Sequence, residues 1–121
     1  MDFDRLRSYL VSLPGAVEER LLTPQIPVYK VKGRMFAHLA PDESPPRLAI
    51  RLDPRRGRLL CAAYRALRPA CRANKDHWNS VALDGSVPEK TLLAWIDESY
   101  KLVVDGLPAH LRSGLAPGQP V

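Results

Sequence analysis

Residues 74–85, Asn-Lys-Asp-His-Trp-Asn-Ser-Val-Ala-Leu-Asp-Gly, constrain the fold more than any other stretch of the chain. An Asn that can close a turn with its own side chain comes first. Trp78, one of only two tryptophans, follows at the mouth of a short strand. In a strand from Asn79 to Leu83, Val81 and Leu83 point one way and Ala82 and Asp84 the other. Asp84-Gly85 stops that strand, and Ser86-Val87-Pro88-Glu89 has the spacing of a capping box opening a helix. The stretch joins turn, strand and closing helix. A Trp at such a junction is expected as a core anchor, with Asn74 holding the turn; the alternative for Trp78 is a stacking platform for a base.

The flanking chain supplies the rest of an α+β domain. Phe3, Leu6, Leu10 and Leu13 recur at helical spacing, so a helix runs from about Asp4 to Leu13 and ends at Pro14-Gly15. Residues 16–25 read as a connector. Ile26 to Val31 is a strand with Pro27 at its start or on an edge. Lys32-Gly33 is a two-residue turn, and Arg34 to Leu39 is the return strand. After a Pro-rich surface loop, Arg47 to Leu52 alternates, with Leu48, Ile50 and Leu52 toward the core and Arg47, Ala49 and Arg51 outward. Asp53-Pro54 starts a helix whose apolar side is Leu59, Leu60, Ala63, Tyr64 and Leu67 and whose basic side holds Arg58, Arg65 and Arg68. Pro69 ends it, and residues 70–73 pair into the sheet. The last helix buries Leu92, Leu93, Ile96, Tyr100, Val103, Val104 and Leu107. The expected order is α-β(3)-α-β(2)-α: a five-stranded antiparallel sheet with helices packed on it, Leu6 and Leu10 meeting Ile96 and Val103. One domain spans residues 1–112, and residues 113–121 form a flexible tail.

At 121 residues the chain buries a core without disulfides or metal. Cys61 and Cys71 form no CxxC, and His38, His77 and His110 are spread over three elements, so no metal and no cofactor is expected. The acidic, mixed start Met1-Asp2-Phe3-Asp4-Arg5 is unlike a secretory signal. No apolar run approaches the ~20 residues that span a membrane. A cytoplasmic protein with reduced thiols is expected, with no membrane partner.

Charge is the one compositional feature that points to a partner. Between Arg47 and Lys75 nine basic residues face a single acid, Asp53, a net +8, while the rest of the chain nets −3. A GC-rich genome explains why Arg outnumbers Lys, 13 to 5, but not the clustering. Arg55 and Arg56 sit in the first turn of a helix, at the positive end of its dipole. Either both swing into solvent, or an anion occupies the exposed N–H groups.

No catalytic signature is present: no Gly-rich phosphate loop, no nucleophile elbow, no paired carboxylates in a pocket-forming context. Cys71 with His77 is read as an accidental pair.

Taken together, Leu13-Pro14-Gly15-Ala16, Val31-Lys32-Gly33-Arg34-Met35-Phe36-Ala37, Asn74-Lys75-Asp76-His77-Trp78, Leu83-Asp84-Gly85-Ser86-Val87-Pro88, Ser99-Tyr100 and Leu107-Pro108 resemble the MmcQ/YjbR family of small bacterial proteins. These landmarks run in order over nearly the whole domain. The resemblance implies a secretion-chaperone-like α-β(3)-α-β(2)-α fold and a double-wing, DNA-binding protein with no assigned reaction. It carries over no catalytic residues, and the Arg-rich residues 55–72 lie outside its motifs.

The expectation is a non-enzymatic protein that binds nucleic acid, duplex DNA first, through phosphate contacts from Arg51, Arg55, Arg56, Arg58, Arg65 and Lys75. The alternative is a protein-interaction or adaptor module whose partner is a second copy of the chain or another protein.

Overall fold

A computed structural model describes residues 3–21, 26–70 and 77–113. The order is α1 (Phe3–Ser12), β1 (Ala16–Leu21), β2 (Ile26–Val31), β3 (Arg34–Ala40), β4 (Arg47–Arg51), α2 (Pro54–Ala63), β5 (Leu67–Pro69), β6 (Trp78–Ala82), α3 (Glu89–Asp105) and α4 (Ala109–Arg112). The strands form one antiparallel sheet in the order β1-β2-β3-β4-β6-β5. The architecture is the expected α+β one, with six strands rather than five.

The extra strand is β1, in what the sequence reads as a connector. Glu18, Glu19 and Arg20 break any apolar alternation, so nothing in the pattern marks a strand. Tertiary charge pairing makes it one. Glu18, pointing to the helix side, accepts from Arg7 of α1 at 3.0 Å, and Glu19, pointing to the other side, meets Lys30 of β2 at 3.0 Å. Lys32 (φ 51°) and Gly33 (φ 82°) make the tight turn between β2 and β3, the left-handed pair that matches the twist of a two-residue hairpin.

All the long helices lie on one face. Leu48 and Ile50 of β4, Ala37 and Leu39 of β3, Tyr29 and Val31 of β2 and Val81 of β6 are sealed there beneath Leu6, Leu10, Trp95, Ile96 and Val103. Ser99 of α3 fastens the sheet where its ladder ends. The β3–β4 pairing stops at Ala37↔Ile50. Just beyond it the fully buried Ser99 hydroxyl donates to the Phe36 carbonyl (2.6 Å) and accepts from the Arg51 N–H (2.8 Å). Its neighbour Tyr100 packs edge-on to Phe36 and donates to the Pro14 carbonyl at 2.5 Å, pinning the turn after α1.

Three local expectations change. The helix before β5 ends at Ala63 rather than at Pro69, which releases Leu67–Pro69 as an edge strand; Pro69 is tolerated there because an edge position can lack an N–H. Residues 71–73, expected to pair into the sheet, lie outside the described residues. Leu59, placed by the wheel on the apolar side, is 63% exposed, because α2 turns Gly57 and Leu60 inward instead. Gly57 is needed for that contact: a Cβ there would stand 2.9 Å from the Asn79 side-chain nitrogen. Finally, Ser86 does not cap α3. Its hydroxyl and N–H both turn back to Asp84 Oδ1, and Pro88 takes the cap position without a side-chain bond. No described helix is long and apolar enough to cross a membrane.

Candidate nucleic-acid interface and the uncovered sheet face

The second face of the sheet carries no helix among the described residues. Strand register builds it row by row. Glu19, Val28, His38, Ala49, Ser80 and Arg68 stand side by side across all six strands. Ala40, Arg47 and Ala82 flank that row on one side, and Arg51 with Trp78 flanks it on the other.

Trp78 belongs to this face and not to the core, which corrects the core-anchor expectation; the buried tryptophan is Trp95. The reason is strand parity. Asn79 and Val81 take the helix side, so Trp78 must take the other. Its half-buried ring lies 5.4 Å from the His38 ring, and the Arg51 guanidinium stands 5.8 Å from its centroid, within reach of a cation–π contact. Asn74 and Lys75 lie outside the described residues, as do Cys71 and the tail from residue 114 onward.

Arg47, read as outward and solvated, is on the expected face but only 9% exposed. Its Nε donates to Ser80 Oγ (2.6 Å), and Nη2 donates to the carbonyls of Ala66 (3.1 Å) and Ser80 (2.9 Å). Burial lowers its pKa, and the nearby Arg68 charge lowers it further, against weaker support from Glu43 and Asp84. Beside it opens a hollow of about 340 Å³, lined by His38, Glu43, Arg47, Arg68 and Ser80 with apolar walls that include Ile26 and Ala49.

The remaining arginines of the basic segment stand elsewhere. Arg55 and Arg58 are exposed about one turn apart on α2, and Arg65 is exposed past its end, beyond the extended Tyr64. That helix packs on the face opposite Arg51, which sets Arg51 apart from Arg55 and Arg58. Arg56 is drawn sideways into a two-pronged pair with Glu98 of α3 (3.1 and 2.8 Å). The start of α2 is filled from within: Asp53 Oδ2 accepts from the N–H groups of Arg55 (3.2 Å) and Arg56 (3.4 Å). No outside anion is needed there.

Among the described residues, ion pairs are commoner outside this segment than within it. Arg5, Arg7, Arg20, Lys30 and Lys101 pair with Glu89, Glu18, Glu18, Glu19 and Asp105. Within residues 47–70 Arg56 alone has a carboxylate partner among the described residues. The described residues hold no cluster of three or more His, Cys, Asp or Glu fit for a metal.

What the sequence did not disclose is the hollow. Arg47 and Arg68 are both legible as charged strand or helix positions, but only the placement of β6 between β4 and β5 sets them on either side of Ser80.

Comparison with known proteins agrees with the fold. The YjbR family model matches residues 11–102. An uncharacterised Escherichia coli K12 protein, YjbR, is 30% identical over 93% of this chain and 95% of its own length. YbdF of Escherichia coli O157:H7, also uncharacterised, is 30% identical over 78% of each chain. Among solved structures, Deinococcus radiodurans protein DR2400, described as domain DUF419, superposes with a TM-score of 0.85 at 36% identity, covering 97% of this chain and 88% of that one. A Pseudomonas syringae protein shares the fold at 20% identity and a TM-score of 0.73, over 84% of this chain and 98% of its own.

Proposed function

This chain belongs to the YjbR family, and from that premise we propose that it is a non-enzymatic protein that binds duplex DNA through sequence-tolerant phosphate contacts. The observation that carries the reading is the set of exposed arginines, Arg55 and Arg58 on α2 and Arg65 just past its end, with no carboxylate partner among the described residues. Guanidinium groups left free of internal pairs are available to phosphate oxygens, which they meet in a two-pronged geometry. Arg55 and Arg58 lie about one turn apart on a ten-residue helix, about 15 Å long, and Arg65 follows beyond its end. Contacts of this kind position a protein without reading bases.

The test is titration of a fluorescent 20-base-pair duplex at several salt concentrations. Binding is expected at a Kd on the order of 10⁻⁴–10⁻⁶ M near physiological salt. Three phosphate contacts give a log–log salt slope of about −2.7. Arg55→Glu with Arg58→Glu weakens binding to all sequences alike and leaves the fold intact, since both side chains point to solvent. Absence of wild-type binding at low salt sinks the reading.

A second reading, a protein-interaction module, is favoured by one observation: Val17 (51%) and Ile26 (37%) are both exposed on the uncovered face, toward opposite ends of the β1–β2 ladder. Concentration-dependent dimerisation in analytical ultracentrifugation, lost in Val17→Lys, is its signature.

A further inference from the structure

Arg47 is a buried cation without a counter-ion, and that is the anomaly the described residues leave unresolved. A charge taken out of water is costly unless a partner of opposite sign compensates it. Arg47 has three hydrogen bonds to neutral oxygens, but no carboxylate lies within ion-pair distance among the described residues. The charge that acts on it most strongly, ahead of Glu43 and Asp84, is another guanidinium, Arg68, which carries no ion pair among the described residues and lines the same hollow. Two cations that repel each other across a cavity describe a place for an anion.

The details narrow its chemistry. Arg47 is held from beneath through Nε and Nη2, so neither N–H of Nη1 is among the donors that fix it. Ser80 Oγ accepts from Arg47, which leaves its own hydroxyl proton to donate. Glu43 at the rim is the only acid on the lining. On the lining, two guanidinium charges stand against one carboxylate, with Asp84 a weaker influence from outside it, and they fit a dianionic group better than a carboxylate. A phosphate ester, near −2 at neutral pH, is that group. The walls, Ile26, Leu39, Ala40, Ala49, Pro69 and Ala70, are apolar. At about 340 Å³ the space reaches the lower end of small-molecule sites, ~300–1,000 Å³.

We propose that the hollow between Arg47, Arg68 and Ser80 on the uncovered sheet face binds a small phosphate monoester with a flat organic body, of nucleotide class. Arg47 is the fixed, pre-organised donor and Arg68 the mobile one that closes on the phosphate. The site is separate from the α2 arginines and does not depend on the chain binding DNA.

The experiment is an amide-resolved NMR titration of the full chain with thymidine 5′-monophosphate, thymidine and inorganic phosphate, without nucleic acid. The nucleotide is expected to shift the amides of His38, Ala49 and Ser80 saturably, and thymidine is expected to leave them unmoved. Arg68→Gln weakens nucleotide binding about tenfold or more, the loss of one charge-assisted hydrogen bond. Glu43→Gln strengthens it severalfold, a gain that a purely structural role for these residues does not produce. Arg58→Gln, on α2, leaves it unchanged, which separates this site from the proposed DNA surface. No shift at millimolar nucleotide, equal shifts from thymidine, or equal losses in Arg68→Gln and Arg58→Gln overturns the proposal. Inorganic phosphate binding as tightly as the nucleotide overturns the part assigned to the apolar walls.

Discussion

On one side of β4, Leu48 and Ile50 are fully buried beneath α3; on the other side of the same five residues, Arg47, Ala49 and Arg51 meet a hollow, an indole and no helix. The two faces spend polarity differently. On the covered face the fully buried Ser99 hydroxyl uses both its donor and its acceptor to finish the β3–β4 ladder. The uncovered face buries a full charge, Arg47, and surrounds it with neutral acceptors and a second cation. Polar groups inside a core are normally satisfied. A buried cation without a carboxylate partner among the described residues distinguishes the uncovered face from the scaffold.

The comparison breaks most decisively at the two tryptophans. Trp95→Ala, on the covered side, is expected to cost about 3–5 kcal/mol, the range for a buried aromatic. Trp78→Ala loses part of its burial and one cation–π contact, about 1–2 kcal/mol. Urea denaturation of both variants measures the gap. Equal losses mean that the uncovered face is a second core.

A middle-sized effect is expected at Ser99. Ser99→Ala leaves the Phe36 carbonyl and the Arg51 N–H without their shared partner in a sealed site, a loss of about 1–3 kcal/mol. Hydrogen exchange should report it locally, with faster exchange of the Arg51 amide. An unchanged Arg51 amide rejects the clip between β3 and β4.

The smallest effect is the most telling for the uncovered face. Arg68 is exposed and sits beside a like charge, so Arg68→Gln is expected to change stability by no more than about 0.5 kcal/mol, in the stabilising direction. A thermal melt at low salt, where repulsion is least screened, reads the sign. A clear destabilisation identifies Arg68 as a structural residue and removes the functional contrast between the faces.

Several described residues that carry the family resemblance hold turns and strand ends in place. Gly15, Gly33 and Gly85 take positive φ at turns, Tyr100 holds the Pro14 turn and Ser99 the strand end. Such residues are legible because a backbone that needs a left-handed position or a buried cap accepts few side chains. They identify the fold and are silent about the ligand. The site itself was half legible. The +8 segment is visible as composition, and the alternation of residues 47–52 correctly separates Leu48 and Ile50 from Arg47 and Arg51. The burial of Arg47 is not visible, because it depends on Ala66, Arg68 and Ser80, which lie 19 to 33 positions away along the chain.

What the sequence determined alone is local: the periodicity of α1 and α3, the turn at Lys32-Gly33, the two-sidedness of β4 and the excess of arginine in its middle third. These follow from side-chain spacing and backbone sterics, which act over a few residues. Tertiary structure decided what spacing cannot carry. It made a strand of the charged residues 16–21 by pairing Glu18 with Arg7 and Glu19 with Lys30. It placed Trp78 outside and Trp95 inside, set Arg51 apart from Arg55 and Arg58, and brought Arg47 to Arg68 across β6. Each of these is a contact between distant segments, and a charge or a ring acquires its role only from what the fold sets beside it.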